Sequence, residues 1–141
     1  MTTSKVGSVP PPRILVALFS YGGIHPITFD ALLWELQNAA DLGAASAGYL
    51  RISDDALISR SRSFAATHFL EQTPADVLFM LDHDVEFEPG DLISTAIKAH
   101  ETRAVVAGLY AHRAMRTGFG SRLKDGAAKF VPGGDVLHPA T

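Results

Sequence analysis

The chain has 141 residues, 47% of them hydrophobic and 19% charged, which suits one globular domain with a sizeable core and excludes wholesale disorder. A formal charge of −3 argues against a general nucleic-acid binder, and the lack of cysteine excludes disulfides and thiolate chemistry. No apolar stretch approaches the roughly 18–20 residues of a membrane span, and residues 1–13 do not resemble a signal peptide, so a cytoplasmic protein is expected.

Residues 1–12 read as a flexible tail stiffened by Pro10-Pro11-Pro12. The run from Arg13 to Ser20 is continuously apolar between its ends and predicts a buried strand. A loop, Tyr21-Gly-Gly-Ile-His-Pro26, leads to a helix beginning at Pro26 or Thr28. Phe29, Leu32, Leu33, Leu36 and Ala40 recur there at helical spacing, and Gly43 is placed to end it. Ala47 to Ile52 predicts a second strand. Ser53, with Asp54 and Asp55, reads as the start of a second helix that turns Ile58, Ala65 and Phe69 inward and stops before Pro74.

The most informative stretch follows. Val77 to Leu81 is a buried strand of five apolar residues, and it runs into Asp82-His83-Asp84. In extended chain, side chains alternate, so the two aspartates can share one side while His83 takes the other. Two hard oxygen ligands at the carboxyl end of a strand suit a divalent cation that carries a diphosphate. The competing reading is a strand finished by solvated acids that cap the next turn. Glu86 and Glu88 continue the acidic alternation and read as a solvated edge. Pro89-Gly90-Asp91 then opens a helix with Leu92, Ile93, Ala96 and Ile97 as its buried stripe, and Arg103 to Tyr110 predicts a fourth strand.

Strands alternating with helices predict an α/β fold, an open and mostly parallel sheet with flanking helices, over residues 13–112. Residues 113–141 read as an irregular, basic, Gly-punctuated extension with a candidate strand at 128–131. Ligands of such sheets gather beyond the carboxyl ends of the strands at a topological switch point. That rule draws Ser20, Ser53, Asp82 and Asp84 to one crevice. Arg60 and Arg62, early in the second helix, have forked guanidinium groups suited to phosphate, although exposed arginines on a solvated face read equally well. The six histidines form no spaced metal signature, and no nucleophile elbow, Walker loop or dinucleotide fingerprint is present.

Taken together, Arg13–Ser20, the Arg60-Ser-Arg62-Ser-Phe64 segment, Val77–Asp84 and Val105–Tyr110 resemble a GT-A-type glycosyltransferase of the family-two-like kind found in bacteria and phages. The resemblance spans about residues 13–112, and its specific part is the Asp-x-Asp block with Pro89-Gly-Asp-Leu92 matching the Pro-x-x-Leu turn that follows it. It implies a Rossmann-like nucleotide-sugar-binding fold, Mn2+ or Mg2+, and a UDP- or GDP-sugar donor. Asp84 would then be the direct metal ligand, and Asp82 would contact the ribose or hold the metal through water. Arg62 would face the diphosphate with Arg60 in support, while Ser20 and Tyr21 would line the base and ribose pocket.

Two departures accompany the resemblance. Ser63 stands where the family has asparagine, and these enzymes continue into an acceptor-binding half that supplies the catalytic carboxylate. Asp125 and Asp135 are the only late aspartates and stand as candidates for it, and His138 as a candidate further metal ligand. The expected activity is metal-dependent transfer of a sugar to an acceptor hydroxyl. The alternative is a non-catalytic or truncated nucleotide-sugar-binding module; a nucleotidyltransferase or phosphatase using Asp-x-Asp stays open. Self-association into a homo-oligomer is compatible with so short a unit, but no surface for it is legible.

Overall fold

A computed structural model describes residues 7–108 of the chain. Three strands, β1 (Arg13–Ser20), β2 (Ser46–Ser53) and β3 (Val77–Asp82), alternate with three helices, α1 (Pro26–Asn38), α2 (Ile58–Gln72) and α3 (Asp91–Thr102). All pairing is parallel and the strand order is β2-β1-β3, so the fold is α/β with an open sheet, consistent with a Rossmann-like arrangement. The central strand carries the longest apolar run for a physical reason. β1 is paired on both edges and covered on both faces, and Val16, Ala17 and Leu18 are fully buried.

Alternation divides the side chains between two faces. Ile14, Val16 and Leu18 of β1, with Val77 and Leu81 of β3, form one core with Leu32 and Ala39 of α1 and Leu92, Ile93 and Ala96 of α3. Cutting back any of the large members, such as Leu32 or Ile93, is expected to cost roughly 2–5 kcal/mol. The opposite face is covered by α2, which buries Ser61 and Ala65. That cover is thin: Met80 stays 41% exposed, and Phe64 and Leu70 of α2 face outward.

Both ends of the sheet are fastened by specific bonds. At the amino ends, Asp76 accepts from the Arg13 side chain at 3.0 and 3.1 Å and from its backbone N–H at 2.8 Å, tying β3 to β1. Pro12 is buried and its carbonyl accepts from the Ala45 N–H at 2.8 Å, so the proline segment enters the fold at the start of β1. At the carboxyl ends, the loop after β3 is tied to α1 and its approach. The His25 N–H donates to the His83 carbonyl and the buried Thr28 hydroxyl to the Val85 carbonyl, each at 3.0 Å.

A third tie explains how α3 starts. Its N-cap, Gly90, has φ +95°, which a glycine tolerates, and it offers no side chain to the orphan N–H groups of the first turn. The carboxylate of Glu35 in α1 serves instead, accepting from the N–H groups of Gly90 at 2.5 Å and Ile93 at 3.1 Å. Glu35 is fully buried in doing so.

Several expectations are corrected. Ser53 does not start a helix: it closes β2 in register with Ser20, and α2 begins at Ile58, after a turn in which Asp54 has φ 66°. Ile58 is 63% exposed, because the late start places it on the outer side of the first turn. α1 ends at Asn38, and Gly43, with φ +101°, closes the turns that follow. Residues 103–108 of the expected fourth strand are irregular and pair with no strand among the described residues, and Val105 is fully exposed; Leu109 and Tyr110 lie outside the described residues. The candidate strand at 128–131 also lies outside them.

Candidate functional site

The order β2-β1-β3 makes β1 and β3 the strands that flank the switch point, since the chain leaves β1 toward one side and returns to the other. The carboxyl ends of these strands meet in register, Phe19 opposite Asp82. Phe19 and Asp82 share a face. Because Leu81 points into the core shared by α1 and α3, its neighbour Asp82 points to the other side, toward α2.

Arg62, in the second turn of α2, meets it there. One guanidinium nitrogen, Nη2, lies 3.5 Å from both oxygens of Asp82, and the side chains are each 47% exposed. The guanidinium carbon sits 5.9 Å from the centre of the Phe19 ring, within reach of a cation–π contact. A carboxylate, a cation and an aromatic face therefore stand together at the rim of the sheet, open to solvent. Asp84 is exposed two residues on. The strand stops at Asp82 and His83-Asp84 forms a turn, so the alternation that would align the two aspartates no longer governs Asp84.

Arg60 has a different role. Its side chain makes two short bonds to Asp55, at 2.7 and 2.8 Å, while Asp55 also accepts from the Leu57 N–H at 2.9 Å. The Arg60 guanidinium, then the Leu57 N–H, hold the Asp55 carboxyl well below the usual carboxylate range. This fork shapes the turn that leads into α2 and sets where Arg62 falls, two residues later.

Ser20 and Tyr21 occupy the same rim. Ser20 is buried, and its hydroxyl accepts from Arg51 Nε at 3.3 Å, while Arg51 Nη2 donates to the Gly22 carbonyl at 3.2 Å. By alternation Ser20 lies on the α1 side of the sheet and Asp82 on the α2 side, so they stand at the same rim on opposite faces. Tyr21 is exposed at the tip. Asp125, Asp135 and His138 lie outside the described residues.

Two residues escaped the sequence reading. Arg51 organises the loop after β1, and its one visible signal is a charge in an otherwise apolar strand. Glu35 fixes the start of α3. Its signal was the spacing Thr28, Leu32, Glu35, Ala39, which lays an acid along the buried stripe of α1.

The donor chemistry bears on a metal. Among the described residues no group of three or more His, Asp or Glu side chains is gathered to hold an ion. Mg2+ and similar ions at phosphate sites are commonly held by one or two carboxylates, with phosphate oxygens and water completing the shell. Asp82 and Asp84 are two carboxylates, the number such a set uses. Among the described residues no helix is long and apolar enough to cross a membrane. No known family, curated protein or solved structure matches the chain.

Proposed function

We propose that the chain binds a nucleoside-diphosphate sugar, a UDP- or GDP-sugar, at the carboxyl-end rim of β1 and β3 and transfers the sugar to an acceptor hydroxyl with the help of Mn2+ or Mg2+. The observation that supports this reading most directly is the placement of Arg62 beside Asp82, over Phe19, at the switch point. Asp82 and Asp84 would hold the cation. When bound there, it offsets the charge that grows on the diphosphate as the sugar departs.

The chain's own residues supply the rest. Arg62 offers a planar fork that matches two phosphate oxygens, and the Phe19 ring keeps that fork at the rim. Tyr21 presents an exposed ring on which a base can stack, and Arg51 holds the loop that carries it. The acceptor hydroxyl must lose a proton as it attacks; Asp125 and Asp135 are the candidates for receiving it.

Incubating the full chain with UDP- and GDP-sugars and Mn2+, while measuring both binding and sugar release or transfer, tests the proposal. Metal-dependent binding together with sugar release or transfer is the expected result. Binding without turnover identifies a nucleotide-sugar-binding module instead, and absence of metal-dependent binding rejects the site.

A further inference from the structure

We infer that Arg62 is the resident counter-ion of Asp82, which a bare divalent cation must displace and an incoming diphosphate draws away, so that the site takes cation and diphosphate together and the cation alone poorly. The inference rests on the nucleotide-sugar reading above and states the order in which that site fills.

Three observations carry it. First, the contact between Arg62 and Asp82 is loose where this chain shows that it can build tight ones. Arg13–Asp76 and Arg60–Asp55 are two-pronged, at 3.0–3.1 Å and 2.7–2.8 Å. Arg62 instead places one nitrogen 3.5 Å from both oxygens of Asp82, leaving the rest of its fork unspent. Second, Phe19 lies under the guanidinium at 5.9 Å, so a swing from carboxylate to phosphate need not carry the cationic head off the aromatic face. Third, the described residues gather no three-donor cluster, so a bare ion would compete with Arg62 for a site that offers it few ligands.

The charges balance when the ligands arrive together. Before binding, Asp82 is neutralised by Arg62. Afterwards the two carboxylates face the dication, and Arg62 faces the diphosphate. A bare cation gains Asp82 only by leaving Arg62 close to a like charge. A diphosphate without the cation draws Arg62 away and then meets the like charge of Asp82. Each ligand therefore raises the affinity for the other, as linkage requires.

Removing Arg62 should consequently act with opposite sign on the two ligands. Mn2+ binding to the full chain is measured by paramagnetic resonance of the free ion, alone and with UDP or GDP. With Arg62→Ala, affinity for Mn2+ alone is expected to rise about two- to fivefold, the scale of an exposed ion pair. Affinity for Mn2+ with UDP or GDP is expected to fall about tenfold, the scale of a lost charge-assisted contact. Arg62→Gln, which keeps the side-chain length, should behave alike, and thermal melts confirm that both variants are folded. In an Asp82→Asn background, Arg62→Ala should no longer raise Mn2+ affinity, which assigns the gain to this pair.

The outcomes are separable. If the wild-type chain binds neither Mn2+ with UDP nor Mn2+ with GDP, the nucleotide-sugar reading fails and the inference falls with it. If it binds one of them, but both Arg62 variants hold Mn2+ alone no more tightly than wild type, the counter-ion role is overturned while the reading stands.

Discussion

An Arg–Asp pair stands near each end of β3, one joining it to β1 and the other to α2, and the two pairs are built differently. At the amino ends, Arg13 and Asp76 make three bonds of 2.8–3.1 Å, and hydrogen bonds from Arg13 lower the Asp76 carboxyl to about 2. At the carboxyl ends, Arg62 touches Asp82 at 3.5 Å through a single nitrogen. One pair is shut and the other ajar. α2 would be held on β3 equally well by a tight fork, so its packing does not call for the looser geometry. The teaching is that the fastening at the carboxyl ends has been given to other groups: the backbone bond from His25 to His83, the Thr28 hydroxyl and the Glu35 carboxylate. Asp82 and Arg62 are thereby left out of that fastening.

The comparison can be broken in five places. The largest effect is expected at the open end: Asp84→Ala should abolish metal-dependent nucleotide binding with the fold intact. Titration with UDP or GDP in the presence and absence of Mn2+ checks this, and an unchanged affinity refutes the metal assignment. Next comes Glu35→Ala, which strands the buried Ile93 N–H and the half-buried Gly90 N–H at the head of α3 and should lower unfolding free energy by about 3 kcal/mol, read by urea denaturation.

The two arginines should then part company. Arg13→Ala is expected to lower stability and spare nucleotide binding. Arg62→Ala should change stability by no more than about 0.5 kcal/mol and weaken diphosphate binding far more than nucleoside binding. Equal weakening of both ligands would remove its phosphate role. The smallest effect is in acid. Asp76 is depressed in the folded chain, so its contribution is fully present above the ordinary carboxylate pKa near 4 and fades as pH falls toward about 2. Asp76→Asn should therefore be less stable than the parent at neutral pH, and the gap should close as pH falls through that window in thermal melts.

Much of the architecture could be read from the chain because its signals are local. Ile14 to Phe19 and Val77 to Leu81 are apolar runs bounded by charge or turn residues, and both are strands. Pro26 begins α1 at its first position, where a missing N–H costs nothing. The position of Asp82 at the end of β3 follows from the same run, and Arg62 meets it because the second helix does start within a turn or so of where its sequence suggests.

What could not be read depends on distant partners. Ser53 has the composition of a cap, but pairing of β2 with β1 keeps it in the strand. Arg60 and Arg62 look equivalent in sequence; only the turn geometry around Asp55 decides that one is engaged there while the other faces the rim. The spacing of Glu35 puts it on the buried stripe of α1, but its partners become apparent only once α3 is docked against it. The reaction chemistry is the least legible layer. A carboxylate pair after a strand indicates where phosphate could dock, but it carries no information on the sugar or its acceptor.

The borrowed acid at the head of α3 also bears on how the chain folds. The acceptor and its two N–H donors are separated by 55 and 58 residues, so that turn of helix has no local substitute for its missing cap. α3 on its own should fray from its first turn and become persistent only once α1 has docked. Mutations at Glu35 would then slow the refolding limb if this docking belongs to the rate-limiting barrier, and would otherwise speed unfolding alone.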